Sequence, residues 1–267
     1  MAPTRPRGPA RGDSGAARFR HAPSPGLSPH LTRDLVGFRA SGGPHPIAVL
    51  PSPSVTVMLQ LASPFRSTPR AFVAGMSLAP SSATPTGVIE CLDLKLTPVG
   101  AFALLGHPLS ELTDRVVDLA ELLEERACER LLDGLAALER WDDRLALVDR
   151  FLTELVGAAC APDPRIAWCW AQLCRTRGRV PVAQLAEATG MSHRHLIGRF
   201  RQQVGLTPKQ AARLVRFDRT AATLRQSGAT LARLAVDHGF YDQAHMTREV
   251  TAMSAMSPRE LATATTV

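Results

Sequence analysis

Residues 185–200 read LAEATGMSHRHLIGRF. Leu185 and Ala186 supply the apolar face of a first helix, with the small Ala186 where a second helix must come close. Gly190 follows four residues later and suits the left-handed conformation of a tight turn. Ser192 is placed to cap a second helix by accepting from one of its free N–H groups. Leu196 and Phe200, four apart, share one face of that helix and lock it onto the first. His193 and Arg194 then point away from the core. An exposed first turn of this kind is what a helix-turn-helix lays in the major groove of DNA.

The pattern recurs. Leu234, Ala235, Gly239 and Phe240 repeat Leu185, Ala186, Gly190 and Met191 at an offset of 49 residues. After one inserted residue, Met246, Val250 and Pro258 repeat Leu196, Phe200 and Pro208 at an offset of 50. A lone match fits any helical hairpin; a second with the same turn chemistry is evidence of architecture. Between the two, Thr207 caps and Pro208 starts a long helix striped by Leu214, Phe217, Ala221 and Leu224, reaching toward Gly228. Such a connector fixes the separation of two reading heads.

Charge divides the chain in the same way. The formal net charge is +7. Residues 165–267 carry +9, residues 41–164 carry −7 and residues 1–40 carry +5. In the C-terminal stretch arginine outnumbers lysine, of which Lys209 is the only one. A basic, arginine-rich helical domain points to phosphate and guanine. No run of 18 apolar residues appears, so no membrane span is expected, and no secretory segment either. Cys91, Cys128, Cys160, Cys169 and Cys174 are odd in number and without C-x-x-C spacing. They read as reduced thiols of a cytosolic protein, with a Cys169/Cys174 redox pair as the less favoured reading.

Upstream, residues 1–30 are rich in Pro, Gly, Ala, Ser and Arg and read as a disordered basic tail, with a transit peptide or a misassigned start as the alternative readings. Residues 31–109 read as a β-rich domain of the sensor kind. Short runs at Ala48–Leu50, Val55–Leu59, Ala71–Val73 and Val88–Leu96 are bounded by turn residues. The last alternates as a half-buried antiparallel strand, and the set suggests a small barrel or sandwich. His107 reads as a turn histidine rather than a ligand contact. Residues 110–161 read as helical, with helices from Ser110 to Leu123, from Glu129 to Leu138 and from Asp142 to Ala159, serving as linker and dimerisation elements. Asp163-Pro164 opens the next helix, where Trp168 and Trp170 read as core. The fold class expected is therefore α+β: a β-rich N-terminal domain, a helical linker and an all-α domain over 162–267 with two helix-turn-helix units.

The stretches LAEATGMSHRHLIGRF, VGLTPKQAARLVRFDRTAATL and LAVDHGFYDQAHMTREV, followed by MSPREL, resemble the DNA-binding domain of AraC/XylS-type transcription regulators. Gly239 to His245 is the most specific element. The resemblance spans residues from about 166 to 264 and implies two recognition helices in adjacent major grooves of operator DNA. It implies that Ser192, His193, Arg194 and Ile197 face the first groove, with Arg201 nearer phosphate. Gln243, Ala244, His245, Thr247 and Arg248 hold the matching positions in the second. Four departures stand out. Gly198 replaces a common Arg, and Arg199 takes a usually apolar slot. In the second unit Ala255 replaces a Gly and Val250 a common Phe. A cytoplasmic, nucleoid-associated regulator without cofactor is implied, with a small-molecule effector, RNA polymerase and a second copy of the chain as its further partners. The competing reading is an enzyme in residues 41–164 fused to a DNA-targeting module. No catalytic signature supports it: Cys91 lies in IECLD and Cys160 in AACAP. His193 and His195 diverge on a helix and do not make a metal site.

Overall fold

The computed structural model describes residues 17–41, 46–62, 65–157, 160–226 and 230–264. Eight strands open the chain: β1 Ala17–His21, β2 Leu35–Ser41, β3 Ile47–Val49, β4 Val55–Gln60, β5 Ala71–Ala74, β6 Ser81–Ala83, β7 Val88–Leu96 and β8 Val116–Asp118. Six of them form one antiparallel sheet in the order β1-β2-β7-β4-β5-β8, and β3 pairs with β6 in a second sheet. Register explains the large core. Leu94, Val57, Val73 and Val117 stand in line across four neighbouring strands, and Leu92, Leu59 and Ala71 form the next row. These rows bury the face on which the helices pack. The opposite face carries a smaller cluster of Phe65, Ile89 and Cys91, with Phe38, Met58, Ile47 and Ala83 around it. Because β3 and β6 lie over that face, the centre of β7 is buried on both sides and not half-buried as its alternation suggests.

The helices are α1 Pro98–Leu105, α2 Glu125–Ala137, α3 Trp141–Gly157, α4 Pro164–Arg175, α5 Val182–Thr189, α6 His193–Val204, α7 Pro208–Gln226, α8 Leu231–Asp237, α9 Gln243–Ser254 and α10 Pro258–Thr263. The helix α1 carries its own signals: Thr97 accepts from the Gly100 N–H, Pro98 stands at the first position, and Gly106 ends it in the left-handed region. It is apolar nearly all round because it lies between the sheet and the first reading unit.

Three expectations are corrected. The tail does not extend to residue 30. β1 pairs with β2, Phe19 stacks on Trp141 of α3 at 4.6 Å between ring centroids, and Leu27 is fully buried. The bare Gly37 opposite Phe19 leaves the room, since a Cβ there would lie 2.5 Å from the Trp141 ring. Residues 1–16 fall outside the described residues. Second, Ser110–Leu123 is not a helix. Asp114 takes a left-handed conformation, Val117 joins the sheet as β8, and short 3-10 turns at Leu109–Glu111 and Leu119–Glu121 flank it. The apolar spacing satisfies a helix, but pairing with β5 buries Val117 and prevails. The β-rich unit therefore runs past residue 109, to Asp118. Third, the apolar stripe of α3 is not free for a partner: Leu145, Val148 and Leu152 are buried in the same core as the sheet. That core is continuous into the C-terminal helices. All five cysteines are free; burial pushes the Cys169 and Cys174 thiols up to about 11, away from reactive thiolate.

Candidate nucleic-acid interface

The first reading unit is α5, a turn and α6. Gly190 takes φ 65°, and its N–H bonds back to the end of α5. The Ser192 hydroxyl accepts from the His195 N–H at 3.3 Å, as its place before α6 requires. Leu196, Phe200 and Val204 are fully buried, so the opposite arc of α6 is turned to solvent. That arc carries Ser192, His193, Arg194, Ile197 and Arg201, all exposed, together with His195 and Gly198. The last two are absent from the set that the resemblance implies. With about 100° between successive residues, they lie opposite Leu196 and Phe200, which is the signal that would have found them. Ser192, Arg194, His195, Gly198 and Arg199 line a shallow hollow on this surface. Gly198 leaves open space where a side chain would stand. Arg199 is half-buried and donates to Gln202 at 2.9 Å, which is how an arginine occupies an apolar slot.

The back of α6 is held from two sides. The buried Gln203 accepts from the Asp163 N–H at the start of α4. From the N-terminal unit, the Thr113 hydroxyl donates to the Gly205 carbonyl at 2.8 Å, just past the end of α6. Trp170 of α4 is core as expected, whereas Trp168 is exposed.

The second unit is α8, a turn and α9. Gly239 takes φ 74°, and Asp242 caps α9 by accepting from the His245 N–H at 2.6 Å. Met246, Val250 and Met253 are buried, so Val250 fills the place of the larger Phe. Gln243, Ala244 and Arg248 are exposed; His245 and Thr247 are half-buried. The His245 ring is engaged within the unit. Its Nδ1 accepts from the Tyr241 N–H at 3.3 Å, and its edge meets Phe240. Only Nε2 is left to reach outward. Two arginines of α7 brace the unit. Arg213 forms a two-pronged bridge to Glu249 at 2.8 and 2.9 Å. Arg216 lies over the Phe240 ring and donates to the Gly239 carbonyl. Burial pulls its guanidinium below the ordinary arginine range, with Glu249 acting against the shift.

Ala255 ends α9 at φ 57°, where its Cβ is strained and glycine is not. Ala255→Gly is expected to raise folding stability by about 1 kcal/mol, read as a higher urea midpoint at unchanged slope.

Charge is distributed to suit an anion. Arg213, Arg233 and Arg165 are spent on Glu249, Asp237 and Asp163. Arg194, Arg201 and Arg248 form no ion pair among the described residues. The described residues also hold no group of three or more His, Cys, Asp or Glu side chains that could bind a metal, and no helix among them is long and apolar enough to cross a membrane.

Residues 185–264 match the family described as Helix-turn-helix domain, and residues 19–118 match a Domain of unknown function (DUF6597). The second match ends where β8 ends. No curated protein matches the sequence. Among solved structures, the chain is similar to a transcriptional regulator with an AraC-type DNA-binding domain from Chromobacterium violaceum, at 20% identity over 37% of this chain and 89% of that one, TM-score 0.35. A probable AraC family transcriptional regulator from Rhodopseudomonas palustris matches at 21% identity over 38% and 95%, TM-score 0.34. ToxT from Vibrio cholerae matches at 10% identity over 85% and 96%, TM-score 0.46. Residues 185–264 form a helix-turn-helix domain, preceded by a strand-rich unit.

Proposed function

We propose that this DNA-binding transcription regulator reads a bipartite operator, laying α6 and α9 in successive major grooves on one face of the duplex. The observation that carries the reading is the doubled turn-and-helix, each with its first turn exposed and with unpaired arginines beside it, joined by the single helix α7. At 19 residues α7 is about 28 Å long, close to the roughly 34 Å between successive grooves. In the first groove His193, Arg194 and Ile197 meet base edges, Ser192 and Arg201 the backbone. In the second, Gln243, Ala244, His245 and Thr247 face bases, with Arg248 on guanine or phosphate. The strand-rich unit acts as sensor. A small-molecule effector bound there would be felt at α6 through the Thr113–Gly205 contact, and RNA polymerase or a second copy of the chain would be recruited once the operator is occupied. No reaction is assigned to this unit. The protein works in the cytoplasm, at the nucleoid.

The test is selection by the full chain from a random duplex library, then footprinting on the winner. Two blocks about 10 base pairs apart support the reading; enrichment without any motif refutes it. The roles within α6 separate further. Arg194→Ala is expected to cost about 1–3 kcal/mol on the selected site and to relax the preference of one base position. Arg201→Ala should weaken binding to all sequences alike and lower the slope of log affinity against log salt by about 0.9. Equal losses on every duplex for both would refute the division of labour.

A further inference from the structure

The two reading units differ by one inserted residue, and the structure identifies it. In the first unit the buried Met191 is followed directly by the cap Ser192. In the second the buried Phe240 is followed by Tyr241 and then by the cap Asp242. Tyr241 is 92% exposed, the extreme among the large hydrophobic side chains of the described residues. It is also the only tyrosine of the chain.

An exposed aromatic on a loose loop would carry no meaning, but this backbone is fixed. The Tyr241 N–H is held by His245 Nδ1. The His245 ring rests edge-on against Phe240 at 5.5 Å. Phe240 in turn lies beneath Arg216 of α7. The phenol thus springs from a backbone position that is tied to the recognition helix, one residue before its cap.

We propose that Tyr241 is a DNA-backbone contact, its hydroxyl donating to a phosphate on the strand that borders the second major groove. This rests on the two-groove reading above. The N-terminal turn of a recognition helix sits among base edges, so the residue just outside it faces the sugar-phosphate wall of the groove. The neighbour Asp242 is an exposed carboxylate engaged in capping. A neutral donor with a long reach approaches phosphate beside that acid and does not become ion-paired to it, as a lysine or arginine would. The inserted residue gives the second head an anchor that the first lacks.

The chemistry gives an unusual signature. A phenol releases no counterion, so its loss lowers affinity without altering salt dependence. A phosphate contact carries no base identity, so the selected motif is unaltered. In the full-length chain labelled at the tyrosine ring, one resonance reports the site. It is expected to shift on the selected bipartite duplex and to stay in place when the second block is scrambled. Tyr241→Phe, which preserves shape and fold, is expected to bind the selected duplex 3- to 10-fold more weakly, as loss of a backbone hydrogen bond does, with the same salt slope and the same motif. If wild-type protein binds the bipartite duplex while the resonance stays put and Tyr241→Phe binds equally well, the contact does not exist. A changed base preference in the second block would make Tyr241 a base reader and overturn the phosphate assignment. A shift seen only on adding RNA polymerase would make it a protein contact, overturning the assignment too. Failure of wild-type protein to select two blocks would instead remove the two-groove reading itself.

Discussion

Replacing Phe200 by alanine is expected to remove about 3–5 kcal/mol of folding stability and with it all sequence-specific binding. Phe200 is fully buried on the inner side of α6, in the same core as Trp170 of α4 and Phe217 of α7. Truncation takes away the transfer free energy of the ring and leaves a cavity that helices fastened on several sides cannot close. Against a domain stability of about 5–15 kcal/mol this is a large fraction. The control is Ile197→Ala on the outer side of the same helix, where the side chain is 39% exposed. That change should leave the urea midpoint nearly unmoved and weaken DNA binding alone. Urea unfolding followed by tryptophan fluorescence, with binding measured on the same samples, separates the two. A Phe200→Ala loss below about 1 kcal/mol would mean that α6 is not pinned by its inner face.

The C-terminal architecture was legible because local chemistry and tertiary need agree there. Gly190 and Gly239 take the positive φ that their turns require, and Ser192 and Asp163 cap the helices they precede. Leu196, Phe200, Met246 and Val250 are buried as their spacing implies. The N-terminal unit was legible only where a strand alternates or a turn interrupts. Residues 17–21 read as tail because the segment ARFRH offers one aromatic among arginines and histidine; its partner Trp141 is 122 positions away. Ser110–Leu123 has a helical period whose apolar members serve a sheet edge and two 3-10 turns. Only the pairing of Val117 with Val73 distinguishes these outcomes, and that pairing is non-local. In the candidate interface the exposed arc of α6 follows from its buried one, yet the resemblance, which carries over positions one by one, passes over His195 and marks Gly198 only as a departure, where the helical wheel places both on the outer arc. The internal bond of His245 had no sequence signal, since it depends on the extra residue Tyr241.

Changing the distance between the two operator blocks is expected to produce the largest loss, on the order of 100-fold or more, because it strips the second head of its base contacts at about 1–3 kcal/mol each. Five added base pairs turn the second block to the far side of the duplex. Ten added base pairs return it to the same side but one turn further along. A protein with tethered heads would recover much of its affinity at plus ten, since effective concentration falls slowly with reach. This chain should not recover. Arg213 grips Glu249 of α9, Arg216 grips the Gly239–Phe240 turn, and both arginines sit on α7, whose own core joins that of the first unit. The heads are therefore one packed body with a single span, set by a helix about 28 Å long. Breaking the grip should relax the ruler: Glu249→Ala is expected to lose affinity at the selected spacing while penalising plus or minus one base pair less than wild type does. Recovery of wild-type affinity at plus ten would mean that the heads move independently and that α7 is not the ruler.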